Sequence, residues 1–241
     1  MKNLPHGLWD AFLYSLSENH PPTNLTIAIS LLISLPLLSP ILWPTTRNLI
    51  TVIHELGHAL VAVLFGRRTK GIKINSDTSG VTITRGKPYG LGVIFTALAG
   101  YTSPPLFAAL LVWLVMSGYS SISVFVLMIL LFLMLLFIRN FWGLLVVGVS
   151  IVALYFFATA MPRDLHAGLL LSVAFFMLIG GIISIIELHI KHIRGDAQGS
   201  DAWQLQQNFI LLPPAVWILF FYVTAIVSVT LVVDFIFQLS T

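Results

Sequence analysis

The sequence contains no cysteine and very little charge. Without cysteine there are no disulfides, no thiolate metal ligands and no thiol nucleophile, so a metal would have to be held by histidine or carboxylate. The redox compartment is left open. The shortage of charge constrains more: Asp, Glu, Lys and Arg make up 9% of the 241 residues, against about 25% in ordinary soluble domains. With 58% of residues hydrophobic, a soluble protein is excluded. The formal charge of +3 is a modest excess of Lys and Arg, of the kind membrane topology itself requires, and no nucleic-acid partner is expected. The stretch from Met1 to Pro22 lacks the basic, apolar and small-residue pattern of a signal peptide and is expected to stay on the mature protein.

What is present is a succession of apolar runs of membrane-crossing length, roughly 20 residues each. They fall at about 24–44, 47–66, 90–117, 121–138, 141–160, 166–188 and 210–236. Pro36, Pro40 and Pro44 kink or end the first of them. The reading is an all-α polytopic membrane protein of about six to seven transmembrane helices, forming a single integral membrane domain over 1–241. Two polar segments interrupt the rhythm, at about 70–87 and 189–208. The first contains Gly71–Asn75 and Gly80–Thr84 around a Ser-Asp-Thr-Ser turn and predicts a small β-hairpin.

Alternating the seven spans gathers Lys2, Arg67, Arg68, Lys70, Lys73, Arg85, Lys87, Arg139, Lys191 and Arg194 on one face and leaves Arg47 and Arg163 on the other. Positive residues near helix ends are retained in the cytoplasm. The basic face is therefore expected to be cytoplasmic, and with it the N-terminus.

The second span, about 47–66, carries His54, Glu55 and His58. Four residues apart on a helix, the two imidazoles lie on one face, a turn from each other, and can converge on one metal. Glu55 directly follows the first of them, where its carboxylate can act as general base toward a water at the open coordination position. For this composition, chance would supply the pattern on the order of 0.003 times. A Glu at mid-membrane costs roughly 2.5 kcal/mol or more and by default marks a functional site. Such a site needs a third protein ligand. Asp164, His166, Glu187, His189, His192, Asp196 and Asp201 are the candidates. Asp164 and His166 lie toward the opposite face in the alternating arrangement, whereas the segment 189–208 lies on the correct one. Asp201 is preferred, with Asp196 behind it; the plain alternative is that Asp201 caps a helix starting at Ala202.

These residues resemble the site-2 protease family of intramembrane zinc metalloproteases, in its short branch without a PDZ domain. The resemblance rests on Ile53-His54-Glu55-Leu56-Gly57-His58-Ala59, then Phe65-Gly66-Arg67-Arg68, Lys70-Gly71-Ile72, Ser79-Gly80-Val81-Thr82, Ala99-Gly100-Tyr101-Thr102-Ser103-Pro104 and Ser200-Asp201-Ala202. It covers about residues 47–117 and 196–236. Ala202 stands where the family commonly has Gly. Tyr101-Thr102-Ser103 stands where a Pro-x-x-Asn pattern would supply an oxyanion-stabilising Asn. Thr102 and Ser103 are accordingly the local candidates for oxyanion or substrate binding, with Asn140 as a distant one whose plain reading is a polar helix end.

The resemblance implies Zn2+ as cofactor, held by His54, His58 and Asp201, with Glu55 catalytic. It also implies a membrane-protein substrate cut in or near a transmembrane segment, and a hairpin whose strand edge can pair with the unwound substrate; the equal alternative for that segment is a simple cytosolic loop whose basic residues meet lipid headgroups. The setting would be a multi-pass protein of the cell inner or plasma membrane, in contact with the lipid bilayer, with its active site toward the cytoplasm. A metal-transit site in a transporter and an inactive protease-like binding module are the competing functions; the intact Glu55 favours hydrolysis, since a transit site has no need of it. The oligomeric state is not specified by the sequence.

Overall fold

In a computed structural model, residues 21–162, 164–209 and 212–239 are described. The expectations for the N-terminal stretch with Lys2, for Arg163 and for the side chain of Asp164 fall outside them.

Eight helices and one hairpin make up the described chain, in the order α1 (Asn24–Leu37), α2 (Trp43–Leu64), β1 (Arg68–Ile74), β2 (Gly80–Arg85), α3 (Leu91–Met116), α4 (Ser120–Phe137), α5 (Phe141–Ala160), α6 (Asp164–Ile193), α7 (Asp201–Asn208) and α8 (Pro214–Leu239). Helices α3, α4, α5, α6 and α8 are long and apolar enough to cross a membrane. The mostly helical fold with one small antiparallel hairpin is the expected class.

The first two expected spans do not form the antiparallel pair that alternation assumes. Helix α1 packs along α6 rather than against α2. Gly168, near the start of α6, faces Thr26 and Ser30 of α1. One helix later, the Trp43 ring meets Phe176 at 6.2 Å and reaches Gly180 further along α6. The two helices are joined where Thr46 Oγ1 donates to the Leu37 carbonyl at 2.7 Å. Both segments thus run in the same sense beside α6, broken at Ser39–Leu42 where Pro36 and Pro40 interrupt the helix. Residue 24 and the outer end of the hairpin, beside Ala59, consequently lie toward opposite ends of the bundle. For the described residues this departs from the alternating arrangement, in which residue 24 and the basic segment after α2 share a face: hydropathy registers two apolar runs but not that the second continues the first.

Helix α2 is the most polar of the long helices because it is enclosed. Asn48, Thr51, Glu55 and His58 are all buried. Helix α3 approaches α2 closely: a Cβ on Gly57 would lie 2.7 Å from the Ser103 Cβ, and small residues at such crossings let helix backbones meet. Gly181 of α6 makes the equivalent accommodation for Pro104 and Pro105 inside α3, as expected of the glycine pair in this span.

The hairpin covers the remaining side of α2. Its strands pair Ile72 with Thr82 and Ile74 with Gly80, with a bulge at Lys70, and Thr78 closes the turn in the left-handed region (φ 66°). Ile72 and Ile74 pack with Val52, Leu56 and Ala59 of α2. Thr51 Oγ1 donates to Thr78 O at 2.7 Å and Thr69 Oγ1 to Ala59 O at 3.3 Å, fixing both ends of the hairpin to the helix. At the junction of α4 and α5, Arg139 N donates to Ile72 O at 2.9 Å, and the Asn140 amide holds both peptide groups of Ile74: Oδ1 accepts from its N at 3.1 Å and Nδ2 donates to its O at 2.6 Å. The outer edge of β1 is therefore filled.

Candidate metal centre

Helix spacing brings His54 and His58 together from within α2; the third group arrives from across the fold. Helix α6 extends to Ile193, and the short polar link after it turns the chain into α7, whose first residue is Asp201. The cap that was the alternative role for Asp201 is supplied by Ser200, whose Oγ accepts from Trp203 N at 3.3 Å. Asp201 is thereby free to point inward, and it is 8% exposed.

The three donor atoms form a nearly equilateral triangle. His54 Nε2 and His58 Nε2 are 3.1 Å apart, and Asp201 Oδ2 lies 3.2 Å from the first and 3.3 Å from the second. Tetrahedral zinc with ligands at about 2.0–2.1 Å requires ligand atoms about 3.3 Å from one another. Asp201 Oδ2 is buried and has no hydrogen bond of proper geometry, a costly state that a bound cation would relieve. Among the described residues these three are the one His/Asp/Glu group close enough to share an ion.

The surroundings fit that arrangement. His58 Nδ1 lies 2.6 Å from the Thr96 carbonyl of α3, which fixes the proton on Nδ1 and turns the Nε2 lone pair toward the triad. Gly100 leaves room for the donors: a Cβ there would sit 2.5 Å from His58 Nε2 and 2.6 Å from Asp201 Oδ2. The Tyr101 ring stands edge-on to His54, with centroids 4.7 Å apart, and is backed by Phe221 at 5.2 Å.

Glu55 is 3% exposed and points toward the hairpin. Thr82 Oγ1 of β2 donates to its Oε2 at 2.6 Å and lies 3.1 Å from its backbone carbonyl. The other oxygen, Oε1, lies beside Gly80, where any side chain would collide with the carboxylate. His54, Glu55, His58, Asp201, Thr82 and Tyr101 all line a cavity of about 240 Å3.

The remaining sequence candidates lie elsewhere. Glu187 pairs with Arg47 at 2.7 Å and accepts from Trp43 Nε1 at 3.3 Å. His189 meets the Tyr222 hydroxyl at 3.3 Å, Asp196 is exposed beyond α6, and His166 packs on Phe157 at 4.7 Å between rings. Neither Thr102 nor Ser103 lines the cavity; each donates to a carbonyl of its own helix, at 2.9 Å to Leu98 O and at 2.6 Å to Ala99 O. Asn140 is committed to the hairpin. The sequence reading did not single out Thr82, Gly80, Gly100 or Tyr101 for a role at the centre. All four stood in quoted motifs, but only the fold shows what they touch.

A family model described as Peptidase M50B-like matches residues 25–232. Neither the curated proteins nor the solved structures include a match to the chain.

Proposed function

The chain belongs to the Peptidase M50B-like family, membrane metallopeptidases of the site-2 protease type, and from that premise we propose that it is a zinc-dependent endopeptidase acting on transmembrane segments of other membrane proteins. The observation that carries the proposal is the triangle of His54, His58 and Asp201 with Glu55 beside it in one cavity.

His54 Nε2, His58 Nε2 and Asp201 Oδ2 would hold the metal. Zinc there supplies Lewis acidity, lowering the pKa of a water and polarising the scissile carbonyl. The rest falls to the protein. The Thr96 carbonyl keeps His58 in the tautomer that presents Nε2. Thr82 occupies Glu55 Oε2, leaving Oε1 beside Gly80 to accept the proton of the attacking water and pass it to the leaving amine.

A helical substrate has no free peptide groups until it is unwound, and a strand edge can then pair with them. The hairpin register supports this role for β2. Asn75 N donates to Ser79 O, so the alternation of an antiparallel pair turns the peptide groups of Gly80 and Thr82 outward, toward the cavity. Among the described residues those groups have no hydrogen-bond partner, whereas the matching groups of Ile72 and Ile74 on β1 are engaged by Arg139 and Asn140. Arg67, Arg68, Lys70, Lys73, Arg85 and Lys87 cluster at this end of the bundle, which favours a cytoplasmic active site in the cell inner or plasma membrane.

The test is cleavage of a model transmembrane substrate in proteoliposomes. Activity lost with a chelator and restored by zinc supports the proposal. Protein that retains metal, never cleaves and passes metal across the vesicle would make the site a transit site.

A further inference from the structure

Outside the metal triad, one short polar contact in the cavity joins a strand residue to the base: Thr82 Oγ1 to Glu55 Oε2, 2.6 Å. We infer that Thr82 is a positioning residue for Glu55, and that β2 therefore orients the general base as well as bordering the substrate's path. The inference rests on the protease reading given above.

Three observations carry it. A hydroxyl has one proton to donate, and the contact at 2.6 Å takes it in preference to the 3.1 Å contact with the Glu55 carbonyl. Glu55 is buried and no other side chain bonds its carboxylate among the described residues, so its rotamer is set by this one donor and by the wall at Gly80. The strand that supplies the donor cannot drift, because it is tied at its turn to Thr51 and its partner strand is held by Asn140 and Arg139. The period-two alternation of a strand gives Thr82 two separate tasks: its side chain faces the base and its peptide edge faces the cavity. A substitution of the side chain alone should then alter turnover while leaving the pairing edge intact.

The experiment compares Thr82→Val, which keeps shape and strand propensity, with Thr82→Ser, which keeps the hydroxyl. In zinc-loaded protein cleaving a model transmembrane substrate, Thr82→Val should lower kcat roughly 10- to 100-fold, the range for a misplaced catalytic group. KM and zinc content should stay near the wild-type values, and Thr82→Ser should restore most of the turnover. Wild-type kcat in Thr82→Val, or a loss appearing in KM or zinc content, would overturn the inference. Labelling of Glu55 by a carboxyl-directed carbodiimide, read by mass spectrometry, tests the contact independently of proteolysis. Faster labelling in Thr82→Val than in wild type supports it, and equal labelling overturns it. Should wild type fail to cleave while the labelling differs, the protease reading falls and the contact between Thr82 and Glu55 stands.

Discussion

At the scale of single residues, the centre depends on one missing side chain as much as on the three donors present. Gly100 lies nine residues into α3, about 14 Å along its axis, and a methyl group there would occupy the space between His58 and Asp201. Gly100→Ala is predicted to reduce zinc per purified chain to well below half of the wild-type value, measured by elemental analysis. Gly148→Ala is the control, because nothing lies within 4 Å of the Cβ it would add; its zinc content should be unchanged. Asp201→Ala should also lose metal, while Asp196→Ala should not. Equal occupancy in all four variants would refute the ligand geometry. Legibility at this scale divided along a physical line. His54, Glu55 and His58 could be read because one helix turn brings them together. Asp201 could be preferred because charge placed its segment on the correct face. Thr82 and Gly100 stand in motifs the sequence displays, but they serve the centre through contacts across the fold, which a local pattern does not reveal.

At the scale of elements, the hairpin is a folded part of the site rather than a loop. Its two strands were legible from their β-branched residues and from the Ser-Asp-Thr-Ser turn, but their docking onto α2 was not, because it depends on scattered partners: Thr51, Glu55 and Ala59 on one side and Asn140 on the other. The tie at Asn140 makes a sharp prediction. Asn140→Ala removes the partners of both the N–H and the C=O of buried Ile74. Leaving such a group unpaired costs about 1–3 kcal/mol, and local opening should become roughly 5- to 150-fold more frequent. Brief trypsin digestion should accordingly cut faster at Lys70 and Lys73, while zinc content holds. An Asn140 acting directly on the oxyanion would instead lower turnover without changing digestion.

At the scale of the whole molecule, the apolar runs gave the helical class and nearly all the helices, yet the path through them was misread at one place. Helices α1 and α2 follow each other along α6 instead of turning back, so residue 24 and the outer end of the hairpin lie toward opposite faces. Because the chain has no native cysteine, single-cysteine variants test this directly. Asn24→Cys and Lys87→Cys, the latter exposed just beyond β2, should react with an impermeant maleimide from opposite sides of sealed vesicles. Labelling from the same side would restore the alternating seven-span path. This path assembles the chemistry of the centre, which is tested most directly by zinc content and substrate cleavage measured together in wild type and Glu55→Gln. Equal zinc is expected in both proteins, with cleavage by wild type and none by the variant. A zinc-loaded Glu55→Gln protein that cleaves like wild type would contradict that chemistry.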